Sequence, residues 1–353
     1  MTKISATIVA DSRALSGDRL TTMLVTFPRF ILAELNTHRM LSKNSASSRA
    51  IPFNTMVKSV GENPFIPIAW QREHKGMQGT EYFTDKVEIM DLEAQWRFAS
   101  YKAVVQAKAL NELGTTKQLA NRLLEPFMWH TVLISGTEWD NFFNLRCPQY
   151  TTPVAGEGFY AKSWKELQSW HDSTDNVEML EEADTLFKLQ HNKGQAEIHM
   201  MALAEAIWDA MNESTPKELK AGQWHIPFGE NIVQNTNIEN LPDLVSGDIA
   251  NIIKISTAMA ARTSYTTVGD EKEFSYEKQI ELHDRLTISG HYSPFEHCAR
   301  VMSSEEYELS VKGGLEWTGG QYDKPLPTKG SEGWCRNYRG FIQYREILEN
   351  GKI

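Results

Sequence analysis

The eight residues Leu20-Thr21-Thr22-Met23-Leu24-Val25-Thr26-Phe27 read as a strand, and Pro28 stops them. Proline fixes φ and carries no N–H, so it suits the first turn of a helix, and an amphipathic pattern then runs from Arg29 to about Met40. That helix delivers His38 and Arg39 at its end. A run of small polar residues follows, from Ser42 through Asn44, Ser45 and Ser47 to Arg49. Small side chains let the backbone approach an anion closely, hydroxyls and N–H groups donate to it, and Arg49 offers a bidentate clamp. The same composition also suits a solvated connector, so composition alone leaves both readings open.

Spacing narrows them. His38, Arg39, Ser42, Asn44, Ser47 and Arg49 fill His-Arg-x-x-Ser-x-Asn-x-x-Ser-x-Arg, which resembles the signature of the flavin-dependent thymidylate synthases. Two positions depart from it. That family usually begins Arg-His-Arg, where this chain has Thr37, and usually has an acidic residue after the Asn, where this chain has Ser45.

Further stretches match in a different order. Asn144-Leu145-Arg146 is similar to the family's Asn-x-Arg, and Gly194-Gln195-Ala196-Glu197-Ile198-His199 to its Ala-Gln-x-Glu-Ile-Arg. Ala260-Ala261-Arg262-Thr263-Ser264-Tyr265 resembles a segment that normally stands near the family's N-terminus. His291-Tyr292-Ser293-Pro294-Phe295-Glu296-His297 resembles a turn that normally precedes the signature. Here that turn comes some 250 positions after it, so the chain reads as a circularly permuted member, an arrangement folds tolerate where termini lie close together. Arg339-Gly340-Phe341-Ile342-Gln343-Tyr344-Arg345 is similar to the tail of phage-type relatives.

The resemblance implies an α/β (α+β) fold, a mostly antiparallel sheet flanked by helices, in a single catalytic domain over 1–353. Residues 1–146 and 195–225 would form the signature half, 147–194 an insertion, and 248–353 the permuted half. It implies FAD as cofactor, deoxyuridine monophosphate as acceptor, methylenetetrahydrofolate as carbon donor and NADPH as reductant, with each site built by a homotetramer. By matched position, His38, Arg39, Asn44, Asn144, Arg146, His291, Ser293 and Glu296 are implied as flavin contacts, and Ser47 and Arg49 as contacts of the nucleotide phosphate. His199 stands where the family has an arginine that grips the pyrimidine carbonyls, and a neutral imidazole offers one donor where a guanidinium offers five.

Two other readings follow from the departures. Ser45 and His199 suit flavin- and folate-dependent modification of another pyrimidine nucleotide, whereas Thr37 and the insertion suit a catalytically silent descendant that still binds nucleotide or a partner.

Composition sets the surroundings. With 41% hydrophobic residues over 353 positions, the chain can bury a substantial core. A net charge of −10 argues against coating a nucleic-acid polymer, so an anionic ligand has to be small and held by local arginines. No apolar run approaches the roughly 20 residues that cross a bilayer, and the N-terminus lacks a signal-peptide layout, so a cytosolic location is expected. Cys147, Cys298 and Cys335 lie too far apart for a Cys-x-x-Cys metal site and read as ordinary thiols in a reducing compartment, with no metal.

Along the rest of the chain, Ile4–Ala10 reads as a strand and Asp11–Asp18 as a turn. Proline punctuation predicts a long ordered loop over 51–79. Apolar residues at helical spacing predict helices over Asp91–Gly114, Gln195–Met211, Ile249–Arg262 and Phe274–Ser289. Trp129–Ile134 reads as a strand or helix turn, Gly156 and Gly158 as part of a loop, and Ile226–Asp243 as a connector ahead of a second unit starting near Asp248.

Overall fold

The architecture was analysed in a computed structural model that describes residues 2–76, 79–151, 159–171, 183–234, 249–263, 275–311 and 332–350. The loop at Gly156 and Gly158, the connector beyond residue 234, the start at Asp248, Ser264-Tyr265 and Phe274 fall outside the described residues.

A hairpin founds the main sheet. Strand β1, Ser5–Ala14, pairs antiparallel with β2, Arg19–Pro28, with a register shift between Ile8 and Ala10. The first half of the expected turn at Asp11–Asp18 is therefore strand, and the chain reverses over Leu15–Asp18 through Gly17 at φ +92°, a conformation that costs glycine little. The helix expected over 29–40 is shorter: a 3-10 turn, Arg29–Ile31, then α1, Leu32–Asn36. Thr37 ends it by turning its hydroxyl back onto the Glu34 carbonyl at 2.6 Å. The polar stretch Ser42–Ser45 is not a loop but strand β3.

Residues 51–79 also depart from expectation, because helix α2 spans Phe53–Glu62. Pro52 sits at its N-cap and Asn63-Pro64 just beyond its end, so the prolines bound this helix rather than forbid it. Helix α3, Lys86–Glu112, is capped by Asp85, whose side chain accepts from the N–H groups of Val87 and Glu88. Gly114 closes it at φ +84°. Met56, Val60, Val104, Ala107, Leu124 and Met128 pack α2 and α3 together as a separate cluster.

Strand β4, Trp129–Gly136, lies between β2 and β3, antiparallel to both. Strand β5, Lys217–Leu219, adds in parallel to β1, giving the order β3-β4-β2-β1-β5. Successive side chains of a strand face opposite ways. Met23, Val25 and Phe27 of β2, with Val132 and Ile134 of β4, meet Met200, Leu203, Ala204 and Ile207 of the helix Ile198–Glu213. Leu24 and Leu133, on the opposite face, meet Phe228, Met259 and Ala260. The last two belong to the helix Ile249–Arg262, so the region after residue 224 covers the second face.

That region carries its own antiparallel sheet, in which Ala299–Val301 lies between Trp224–His225 and Phe341–Gln343. Strands Trp334–Cys335 and Tyr338–Arg339 form a further hairpin. The fold is mixed α/β with mostly antiparallel sheets, as expected. Between residues 147 and 194, the helices Trp164–His171 and Thr185–Gln190 pack around Tyr150, Ala161 and Leu167. Glu205 of the helix Ile198–Glu213 anchors them, accepting from Tyr150 Oη at 3.1 Å and the Trp164 N–H at 2.7 Å.

Among the described residues no helix is long and apolar enough to cross a membrane, and no group of three or more His, Cys, Asp or Glu side chains is arranged to hold a metal ion. All three cysteines are buried free thiols.

Candidate functional site

Strand β3 is where the distant motifs meet. Asn44 on β3 donates through Nδ2 to the Ala260 carbonyl and, at 3.2 Å, to Thr263 Oγ1, tying the opening motif to Ala260-Ala261-Arg262-Thr263. The Ser293–Glu296 segment, a single 3-10 turn, packs beside the same strand. Glu296 pairs with Arg345 of the tail at 2.6 Å. Lys43, between Ser42 and Asn44, donates through Nζ to the carbonyls of His38 at 2.5 Å and Leu41 at 3.1 Å. Burial pulls the Lys43 ammonium down to about 8, and the nearby Glu296 carboxylate opposes that pull.

His38 and Arg146 come together at the other side of the same turn. Arg146 ends the helix Asp140–Arg146, and its Nε donates to His38 Nε2 at 3.0 Å. Phe142, one turn earlier, meets the His38 ring edge-on with centroids 4.9 Å apart. Burial, followed by the positive charges of Arg146 and Lys43, holds His38 down to about 4. A groove of about 460 Å³ opens here, lined by residues 37–41, Glu138, Asn141, Phe142, Leu145, Arg146 and Trp334. Arg39 is exposed at its rim, Met40 and Leu145 offer apolar walls, and Trp334 adds an indole.

The remaining expected residues are distributed unevenly. Asn144 is exposed and does not line the groove, and Asn44 spends its side-chain amide on the Ala260 and Thr263 contacts. Ser47 and Arg49 follow the far end of β3, roughly 13 Å of strand from its beginning. The Ser47 carbonyl accepts from Ala50 and Ile51, forming a turn that leaves Arg49 exposed. Ser48 pins that turn, its hydroxyl donating to Glu125 at 2.5 Å while its carbonyl accepts from Asn121 at 2.7 Å. His291 is exposed ahead of the Ser293 turn.

His199 faces inward. Only 3% of it is exposed, Nδ1 meets Glu197 Oε1 at 2.5 Å, and Nε2 accepts the Ile68 N–H at 3.1 Å. Phe30 and Phe65 box the ring edge-on. Both ring nitrogens are engaged within the chain, so the geometry leaves His199 no donor for a pyrimidine. Glu197 is also the N-cap of its helix, accepting from the His199 and Met200 N–H groups.

Three contributors had no signal as site residues. Lys43 fills an unspecified position of the motif, and Trp334 lies in the tail, far away in sequence. Glu34 of α1 is pushed upward by burial and by Glu197, with Arg146 and His199 opposing, and its Oε2 is buried without a hydrogen bond among the described residues.

Behind β3, hydroxyls form a row across three strands. Thr22, Ser135 and Ser42 stand at paired positions of β2, β4 and β3. Ser135 Oγ lies 2.6 Å from Thr22 Oγ1 and 2.8 Å from His297 Nδ1. His225 bridges Thr22 and Ser12 at 2.8 and 2.9 Å. Asn337 and Gln343 reach Ser42 from the tail at 3.0 and 3.5 Å. Hydrogen-bonded polar groups thus seat the second face on the sheet behind the motif strand.

No protein-family model matches this chain, and no curated protein matches it. Among solved structures, the UMP/dUMP methylase PolB from Streptomyces cacaoi bound with 5-Br dUMP is similar over 60% of this chain and 91% of that chain, at 12% identity and a TM-score of 0.40. The same methylase bound with 5-Br UMP is similar over 54% of this chain and 98% of that chain, at 16% identity and a TM-score of 0.35.

Proposed function

We propose that this chain methylates a uracil nucleotide, deoxyuridine monophosphate, using FAD, methylenetetrahydrofolate and NADPH. The observation that carries the reading is the convergence on β3: Asn44 bonds Ala260 and Thr263, the Ser293–Glu296 turn packs alongside, and Arg146 bonds His38. Stretches that resemble one family's motifs, dispersed over most of the sequence, share one neighbourhood.

The groove's donor set fits a planar, diphosphate-bearing cofactor. Arg39 and Arg146 supply guanidinium groups for the diphosphate, and Met40, Leu145 and Trp334 supply apolar surface for a ring system. Bound FAD would supply the redox chemistry; binding, orientation and electrostatics fall to the protein. Arg146 fixes the His38 ring through Nε2 and leaves its proton on Nδ1. Lys43 keeps a cation beside the His38 and Leu41 carbonyls. Ser47 and Arg49, at the far end of β3, are assigned to the nucleotide phosphate.

A second reading, nucleotide binding without methylation, is favoured by one observation: His199 has both ring nitrogens engaged inside the chain. Two measurements separate the readings. The purified protein is titrated with FAD and then incubated with radiolabelled pyrimidine nucleotides, methylenetetrahydrofolate and NADPH, with product identification. Thymidylate formation by a flavin-loaded protein supports methylation, nucleotide binding without product supports the second reading, and binding of neither ligand overturns both. Arg49→Ala is expected to weaken nucleotide binding about 10- to 100-fold, from the loss of one charge-assisted contact, while leaving FAD binding unchanged.

A further inference from the structure

Helix α3 carries more apolar surface outward than its packing uses. Its buried positions are Ser100, Val104 and Ala107, yet Val87 is 67% exposed, Met90 69%, Phe98 55%, Tyr101 61% and Val105 38%. With exposed Ala94, these residues recur at intervals of three and four. At 100° per residue they fall within an arc of about 80°, a continuous stripe roughly 27 Å long on a side away from the α2 cluster. Contiguous apolar surface of this kind marks an interaction site. Intervals of three and four are the spacing by which one helix seats against another.

The pattern also says which partner fits. The stripe reads nearly the same in both directions about residue 96: Val87 mirrors Val105, Met90 mirrors Tyr101, and Ala94 mirrors Phe98. An isologous two-fold contact sets residue i of one helix against residue j of the other and j against i, so an apolar pattern that reads alike in both directions lays stripe on stripe. The flanking charges are sorted along the same axis. Asp85, Glu88, Asp91 and Glu93 outnumber Lys86 in the first part, and Arg97, Lys102 and Lys108 outnumber Glu112 in the second. Helix-dipole preference accounts for that polarity by itself. It does not account for the apolar stripe between the charges.

We infer that the outer face of α3 is a self-association surface, on which a second copy of this chain packs its own α3 antiparallel about a two-fold axis near residue 96. Antiparallel packing sets the acidic part of each helix against the basic part of the other. Asp91, which makes no ion pair among the described residues, then faces Lys102 of the second copy, and Lys102 faces that copy's Asp91. Among the described residues of one chain, Lys102 lies over its own Phe98 ring, 5.1 Å from the centroid. Glu93 and Arg97 already pair within the helix at 2.6 Å and are not needed. This inference is independent of the proposed chemistry.

Sedimentation velocity on the full chain at rising concentration tests it. The wild type is expected to self-associate reversibly, with a dimer among its species. Phe98→Glu and, separately, Asp91→Lys are each expected to raise the dissociation constant at least about tenfold, and Asp91→Lys with Lys102→Asp to restore it, because the double swap returns opposite charges to facing positions. Asp91, Phe98 and Lys102 are all exposed, and circular dichroism checks that the helices persist. A wild type that stays monomeric overturns the inference, as does an oligomer indifferent to Phe98→Glu. Failure of the double swap to restore the dimer overturns the antiparallel register.

Discussion

Arg146 donates through Nε to Nε2 of His38 at 3.0 Å, so the neutral imidazole must carry its proton on Nδ1, and protonation of Nε2 would set two cations against each other. Burial is the largest cause that holds His38 down to about 4, and Arg146 is the next. Arg146→Leu is therefore expected to move the His38 titration upward without returning it to the ordinary histidine range, since burial persists. An NMR titration of the ring checks this, and an unmoved titration would show that Arg146 does not face His38 in solution.

Ser135 holds two partners where Ser12 holds one. Ser135→Ala removes the hydroxyl from both Thr22 and His297, and His297 Nε2 already lacks a hydrogen bond among the described residues. A buried imidazole without any partner should cost about 1–3 kcal/mol. Ser12→Ala should cost less, because His225 keeps Thr22. Denaturant melts of the two variants decide the order.

His199→Arg is expected to destabilise the chain by about 1–3 kcal/mol rather than to improve catalysis. Arginine has no acceptor for the Ile68 N–H, and its guanidinium would be forced between Phe30 and Phe65. His199→Gln keeps a donor and an acceptor and should cost less. A rise in thymidylate formation with unchanged melting temperature would show instead that position 199 reaches the ligand.

Acid should unfold this protein early. Burial holds His130, His225 and His297 down to about 3. In the unfolded chain an imidazole titrates near about 6.5, so below that pH the unfolded state takes up protons that the fold refuses. The stability these groups contribute is whole above about 6.5 and drains as pH falls toward about 3, by on the order of 1 kcal/mol per pH unit for each. Asp11, held low mainly through Arg19 and Ser214 despite its burial, adds a loss in the same direction at lower pH. Buried Glu205 is pushed the other way and opposes the trend in the carboxylate range. Melting temperature is expected to fall steeply between about pH 6 and 5, and a flat profile there would mean that these rings accept protons in the fold.

The strands and long helices were legible wherever one face is buried, because burial imposes a period. β2 alternates between two covered faces, and Ile198–Glu213 repeats its apolar residues toward the sheet. Helix α2 was hidden because prolines at its borders look, in sequence, like prolines that break it. Strand β3 was hidden for the opposite reason. Ser-Lys-Asn-Ser has little intrinsic preference for extended structure, and pairing with β4 makes it a strand, with Ser42 and Asn44 turned inward. The motif residues were legible by spacing, but their orientations were not. Only the fold reveals that His199 meets the Ile68 N–H or that Asn144 turns away from the groove.

Among the described residues the main sheet ends on its two shortest strands, four residues of β3 on one side and three of β5 on the other. A free sheet edge is a template on which a foreign strand can add, and the number of unpaired backbone groups sets how firmly it is held. Edges this brief give an invading chain little ladder. Crowding is therefore expected to drive ordered helix contacts before fibrils, with thioflavin staining staying low while light scattering rises.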